Sequence, residues 1–212
     1  MTRKERRKQE RENRRNEIID AAEQLFFSKG YEKTTMDDIV KKAEFSKSTL
    51  YTYFNSKEEL FLLVHLRGLK KRKAVVEAME KEKTGHNKLR LFGEKYYTFY
   101  KEYPEYLRLQ LYWSVYGVNL KKINRSIIKE FKLENERALA KIRQAFQMEL
   151  KNSKHPSAVN IDRLASHFLQ TLRTVLNQSI FPVDPFHRYN DAKYYCPCSP
   201  RRPKGNSQYP RS

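Results

Sequence analysis

Three helix starts crowd into residues 34–57, TTMDDIVKKAEFSKSTLYTYFNSK, with room between them for tight turns only. Thr35 and Asp38 stand at the capping-box spacing, in which a hydroxyl and a carboxylate satisfy the amide donors that a helix start leaves open. Ile39 and Ala43 then supply one apolar face at i, i+4. Ser46 is a second N-cap, followed by the same apolar spacing at Leu50 and Phe54. Ser56 and Glu59 form a further capping box, so a third helix begins at Lys57. A chain punctuated in this way folds as helix, turn, helix, with a longer helix leaving the pair. Around the outer surface of the second short helix lie Lys47, Ser48, Thr49, Tyr51 and Tyr53. Hydroxyls, an ammonium and phenols in that position suit phosphates and base edges.

Charge points the same way. The 212 residues carry a net charge of +19 and a pI near 9.8, a field whose natural counterpart is nucleic acid or an anionic membrane surface. No apolar run reaches bilayer-spanning length. The opening MTRKERRKQE has no hydrophobic stretch behind it, so it is not expected to act as a secretory signal. Residues 2–15 hold eight basic and three acidic side chains and no apolar one. Lacking a face to bury, that segment is unsuited to a membrane anchor. Residues 1–13 are expected as a basic flexible arm, tracking phosphates or simply solubilising, and the Glu10–Arg14 spacing also lets them extend the next helix. Cys196 and Cys198 stand too close for an ordinary disulfide staple and lack a second pair of zinc ligands; they fit a reducing cytoplasm. The five histidines are scattered and the six glycines make no phosphate loop, so no catalytic residue, metal or cofactor is expected.

The first helix is expected from about Arg14 to Lys29, with Ile18, Ala22 and Leu25 in a stripe, Phe26 beside it and Gly30 as its C-terminal cap. One long helix is expected from Lys57 to about Lys83, apolar at Leu60, Val64 and Leu66, then basic, and broken by Thr84-Gly85-His86-Asn87. From 87 to 181 the pattern is helical throughout. Leu89, Phe92, Tyr96, Phe99 and Tyr103 share a face of a helix that Pro104 stops, and the next carries Tyr106, Leu109, Trp113 and Tyr116. A helix over 119–151, a loop to Pro156 and a last helix over 160–181 follow. On that last helix Ile161, Leu164, Phe168, Leu172 and Val175 form one side, with Ala165, Leu169 and Leu176 beside them. A stripe so wide fits burial against both the chain's own core and a partner subunit. Residues 182–212 hold six of the eight prolines and are expected to be disordered.

Residues 16–64 resemble the DNA-binding domain of the TetR family of transcriptional regulators. The resemblance is carried by Ile19, Ala22, Leu25, Phe26, Gly30, Tyr31, Thr34, Thr35, Ile39, Ala43 and the run STLYTYFNSKEEL from Ser48, preceded by Ser46; it covers about a quarter of the chain. It departs at Glu44 and Phe45, where members usually carry Gly and a small aliphatic. If the turn holds position 44 at positive φ, a side chain there adds strain of about 1 kcal/mol or more. The resemblance implies an all-α fold: a three-helix helix-turn-helix domain over 14–66, joined by a long helix to a helical ligand-binding and dimerisation domain over 67–181. It implies a homodimer on double-stranded DNA with a palindromic operator, repressing until a small molecule of apolar or aromatic character binds. DNA contacts then fall to Thr35, Ser46, Lys47, Ser48, Thr49, Tyr51, Thr52, Tyr53 and Lys57, of which Thr35, Tyr51, Tyr53 and Lys57 match phosphate-holding positions. An effector pocket falls to Phe92, Tyr96, Phe99, Tyr100, Tyr103, Trp113 and Tyr116. The dimer interface falls to Leu164, Phe168, Leu172 and Val175, and members usually add a further helix where residues 182–212 stand. A ligand-independent or architectural DNA binder stays open beside this, and more distantly a basic membrane-surface protein.

Overall fold

The computed structural model describes residues 1–151 and 159–181; the expected loop before Pro156 and the expected disorder of 182–212 lie outside them. Among the described residues there are nine α-helices and no strand. The fold is an N-terminal helix-turn-helix domain followed by a larger helical domain.

Helix α1 (Arg3–Lys33) starts eleven residues earlier than expected, so the predicted flexible arm is helical. Its charges support it locally. Thr2 and Glu5 form a complete capping box, and Glu10 pairs with Arg14 one turn on, at 2.7 Å. Ile18, Ile19, Ala22 and Phe26 then anchor the helix in the core. At Gly30 the backbone turns to φ 82°, and the chain closes one more turn before Thr34. Helices α2 (Met36–Ala43) and α3 (Lys47–Tyr53) follow, capped by Thr35 and Ser46 as their spacing dictates. Ser56 caps α4 (Lys57–Lys71), but the reciprocal carboxylate, Glu59, takes the amide of Asn55 instead, at 3.3 Å.

The single helix expected over 57–83 is broken. It ends at Lys71, and Arg72 leads into α5 (Lys73–Ala78) and a 3₁₀ turn at Met79–Lys81. Arg72 sits in the apolar stripe between Leu69 and Val75, and its side chain is drawn into the protein, where the backbone bends. Helix α6 (Gly85–Glu102) ends at Tyr103, and Pro104 opens α7 (Pro104–Tyr116), where its missing amide costs nothing. The helix expected from 119 is shortened too. Asn124 accepts the amide of Ser126 and starts α8 (Arg125–Leu150) there, while Leu120 lies in a short 3₁₀ turn and stays exposed. Helix α9 (Ile161–Ile180) closes the described chain.

Helix α4 ties the two parts together. Leu60, Phe61, Leu62 and Val64 are fully buried, each worth about 1.5–3 kcal/mol of transfer free energy. Phe61 meets Phe26, Tyr31 and, from α7, Tyr112, at 4.8–6.0 Å between ring centroids. Further back Phe92, Tyr96, Leu107 and Ile142 fill the core of the larger domain.

Candidate functional site

The turn between α2 and α3 hinges on Glu44, whose φ of 58° and ψ of 29° are left-handed. This is the strained geometry in which glycine is usual, and it is held here by a glutamate. Beyond it the hydroxyl of Ser46 accepts the Thr49 amide at 3.1 Å and contacts the Ser48 and Thr49 hydroxyls at 2.9 and 2.8 Å. A tight hydroxyl cluster thus occupies the head of α3. The Lys47 ammonium lies beside it, paired with Asp37 of α2 at 2.7 Å, and that hydrogen bond raises the Lys47 pKa. Both partners are well exposed, so the pair holds Lys47 loosely and an external anion can compete for it. Thr52 turns its hydroxyl back to the Ser48 carbonyl at 2.9 Å, whereas Tyr51 projects into solvent.

Two expected contacts are committed within the chain. Thr35 gives its amide and hydroxyl to Asp38, at 2.8 and 2.6 Å. Hydrogen bonds from Lys29 and Thr35 hold the Asp38 carboxyl well below the usual carboxylate range. Lys57 is half-buried over the Tyr31 ring, 4.1 Å from its centroid, and donates to the carbonyls of Tyr31 and Glu32 at 2.9 and 3.4 Å. Burial lowers its pKa. Its ammonium closes the end of α1 in the free chain.

The structure adds two arginines that the motif does not contain. Arg11 lies over Tyr53 at 5.9 Å and Arg15 over Phe54 at 5.5 Å, so the basic extension of α1 runs beside α3. The signal was present: Arg15 and Arg11 continue the Leu25–Ala22–Ile18 stripe backward at helical spacing.

In the larger domain, a cleft of about 910 Å³ opens between α7, α8 and α9. Trp113, Phe131 and Leu139 contribute apolar lining, and Gln110, Lys132 and Arg173 polar lining. Of the seven aromatic residues expected around a pocket, Trp113 alone lines this cleft. Phe92, Tyr96, Phe99 and Tyr100 are buried in the core, Tyr103 stacks on Phe99 at the end of α6, and Tyr116 is largely exposed beside Tyr112. Behind the cleft wall Arg72 is 2 % exposed and donates to the phenols of Tyr96 and Tyr100 at 3.1 and 3.3 Å. Gln110 gives its amide nitrogen to Tyr100 at 2.5 Å, and its oxygen accepts from Arg173 at 2.5 and 2.9 Å. His65 packs edge-on against Phe61, Trp113 and Phe131, with neither ring nitrogen hydrogen-bonded. Burial, then the charges of Arg173 and Arg72, push its pKa down to about 3, so the ring is neutral.

Helix α9 divides its apolar stripe. Ala165, Leu169 and Leu176 are buried within the chain, Leu164, Phe168 and Leu172 are half-buried, and Val175 is 55 % exposed. No group of metal-ligating side chains occurs among the described residues, and none of their helices is long and apolar enough to cross a membrane.

The family described as bacterial regulatory proteins, tetR family, matches residues 18–64. The chain is 34 % identical to the HTH-type transcriptional regulator QacR of Staphylococcus aureus over 126 residues, 58 % of this chain and 64 % of that protein. It is 42 % identical to the uncharacterised HTH-type regulator YfiR of Bacillus subtilis over 62 residues, 29 % of this chain and 30 % of that protein. These matches therefore span less than two thirds of either relative. In three dimensions it resembles the regulator FadR of Bacillus subtilis, solved in complex with stearoyl-CoA, with a TM-score of 0.59 at 16 % identity over 78 % of this chain and 87 % of that one.

Proposed function

We propose that this chain, which belongs to the TetR family of helix-turn-helix transcriptional regulators, binds a palindromic operator as a homodimer and represses transcription until a small molecule fills the cleft of its larger domain. The observation that carries the DNA-binding part is the head of α3. There Ser46, Ser48, Thr49 and Lys47 stand together on a capped helix behind a tight turn, with the basic face of α1 alongside. In this reading α3 enters the major groove and Lys47, Ser48 and Thr49 face base edges. Tyr51, Tyr53 and Thr35 border the phosphates, and Arg11 and Arg15 add sequence-independent attraction.

Two-fold symmetry sets the operator. A dimer places its two α3 helices in successive major grooves, about 34–36 Å or a multiple apart, so the site is an inverted repeat. The cleft supports the responsive part. Trp113 and Gln110 lie on α7, and the same helix reaches the DNA-binding domain through Tyr106 and Tyr112, which donate to Glu23 and Glu32 of α1. A ligand that prefers a shifted α7 thereby shifts α1 and the spacing of the paired α3 helices. FadR, which shares the fold, was solved with an acyl-CoA bound, so a fold of this kind accommodates an effector.

Selection of bound DNA from a random pool tests the proposal. An inverted repeat is expected, and Lys47→Ala should relax preference at one position per half-site, by about tenfold or more. A pool without symmetry, or a Lys47→Ala loss equal for all sequences, refutes it.

A further inference from the structure

Behind the cleft wall lies a buried positive charge, Arg72, whose hydrogen-bond partners are phenols rather than carboxylates, and the cleft itself is lined by further cations, Arg173, Lys129 and Lys132. Arg72, almost fully buried, is met by two phenols, and its Nε has no partner. Arg173 meets an amide oxygen and, at 3.4 Å, the Tyr96 phenol. The acid on the cleft rim, Glu136, is already paired with Arg143. A guanidinium taken out of water without a counter-charge is costly, and phenol and amide dipoles recover only part of that cost. On the cleft side of this group Arg173 and Lys132 share the lining with Trp113, Phe131 and Leu139.

We propose that the cleft is built for a small amphipathic anion, a carboxylate on an apolar aromatic or aliphatic body. Arg173 receives the carboxylate in its planar fork, Gln110 releases its oxygen from the guanidinium or shares it, and the apolar body lies against Trp113, Phe131 and Leu139. The Arg72–phenol group behind the wall keeps the local field positive and is not itself a ligand contact. Neutral His65 presents an uncharged edge to Trp113, so the apolar lining of the cleft stays apolar. This rests on the reading of the chain as a ligand-responsive regulator and names the ligand class for it.

The test uses shape-matched triads that differ only in the head group: naphthaleneacetate, naphthaleneethanol and naphthaleneethylamine, and dodecanoate, dodecanol and dodecylamine. Trp113, the chain's one tryptophan, reports occupancy by its emission, below the micelle-forming concentration of each amphiphile. Within at least one triad the carboxylate should bind about tenfold or more tighter than the alcohol, and the amine more weakly still. Arg173→Gln should erase that preference, and Arg173→Lys should retain part of it. Equal binding across each triad, tighter binding of an amine, no binding of either carboxylate at millimolar concentration, or a preference that survives Arg173→Gln overturns the proposal. Operator release measured in the same titrations separates the two readings. A carboxylate bound with the expected preference but without DNA release defeats the responsive function and leaves the ligand class standing. Release by the amines or alcohols alone does the reverse.

Discussion

Glu44 shows at the scale of one residue how this chain accommodates a local conflict. Among the described residues it is the one non-glycine at positive φ, in the turn that sets the angle of α3. Replacing it by glycine removes left-handed strain but loosens the unfolded chain, so Glu44→Gly should raise stability by up to about 1 kcal/mol in denaturant titration with DNA affinity kept. His65 offers a sharper test because its ring is buried without a partner. Its pKa falls from the model-peptide value of 6.5 to about 3 on folding. The unfolded chain therefore takes up a proton that the folded chain refuses. Stability from this residue is complete above pH 6.5 and is lost as pH falls toward 3, at about 1.4 kcal/mol per pH unit. His65→Phe, which keeps an aromatic ring against Phe61, Trp113 and Phe131, should gain on the wild type by that slope between pH 6.5 and 5. Parallel stability curves for the two proteins would place the acid sensitivity elsewhere. Lys57 supplies a third case: with its ammonium on the carbonyls of Tyr31 and Glu32, Lys57→Met should lower stability and leave the salt dependence of DNA binding unchanged.

At the scale of elements, α7 is the piece that touches both ends of the proposed response. It lines the cleft with Trp113, donates to α1 through Tyr106 and Tyr112, and packs Tyr106 so closely on α4 that a Cβ at Gly68 would lie 2.5 Å from the ring. Removing the two hydroxyls with Tyr106→Phe and Tyr112→Phe keeps the ring packing and cuts the polar link. The double variant should bind operator and effector near normally while the effector weakens DNA binding less, within the 1–3 kcal/mol (about 5–150-fold) that couplings of this kind span. Short-range elements of this architecture were legible from the sequence because caps and stripes are local: Thr35 and Ser46 start their helices where spacing alone puts them, and α6 stops before Pro104. The cleft was not, because its chemistry joins Arg72 to Tyr96, Gln110 and Arg173, residues that no periodicity relates. Of the residues that the resemblance assigned to a pocket, Phe92, Tyr96, Phe99 and Tyr100 of α6 became core, while the cleft formed between α7, α8 and α9. Arg72 read as one cation in the run Lys70-Lys71-Arg72-Lys73; its place in the Leu69–Val75 stripe was the sign that it turns inward.

For the whole molecule, charge and apolar surface pull association in opposite directions. Two subunits of +19 repel, so added salt should strengthen the dimer, while the same salt weakens DNA binding by restoring competition from counterions. The surface that overcomes the repulsion is, in our proposal, the outer half of the α9 stripe, where Val175 is 55 % exposed and Leu164, Phe168 and Leu172 are half-covered. Phe168 also packs on Phe92 and Phe146 inside the chain, so changing it would confound folding with association. Val175 does not have that defect. Val175→Asp places a carboxylate within the proposed contact, where it would be buried without a partner charge. Folding of the monomer should be unaffected, because the side chain is solvated there. Sedimentation equilibrium should show the monomer–dimer constant weakened by about a hundredfold or more, the loss expected when a charge is buried unpaired in an interface. Operator affinity should fall with it, and binding should become steeply dependent on protein concentration, since each half-site is then occupied singly before the pair assembles. A Val175→Asp protein that sediments as a stable dimer and binds operator as the wild type does would show that the two subunits meet elsewhere.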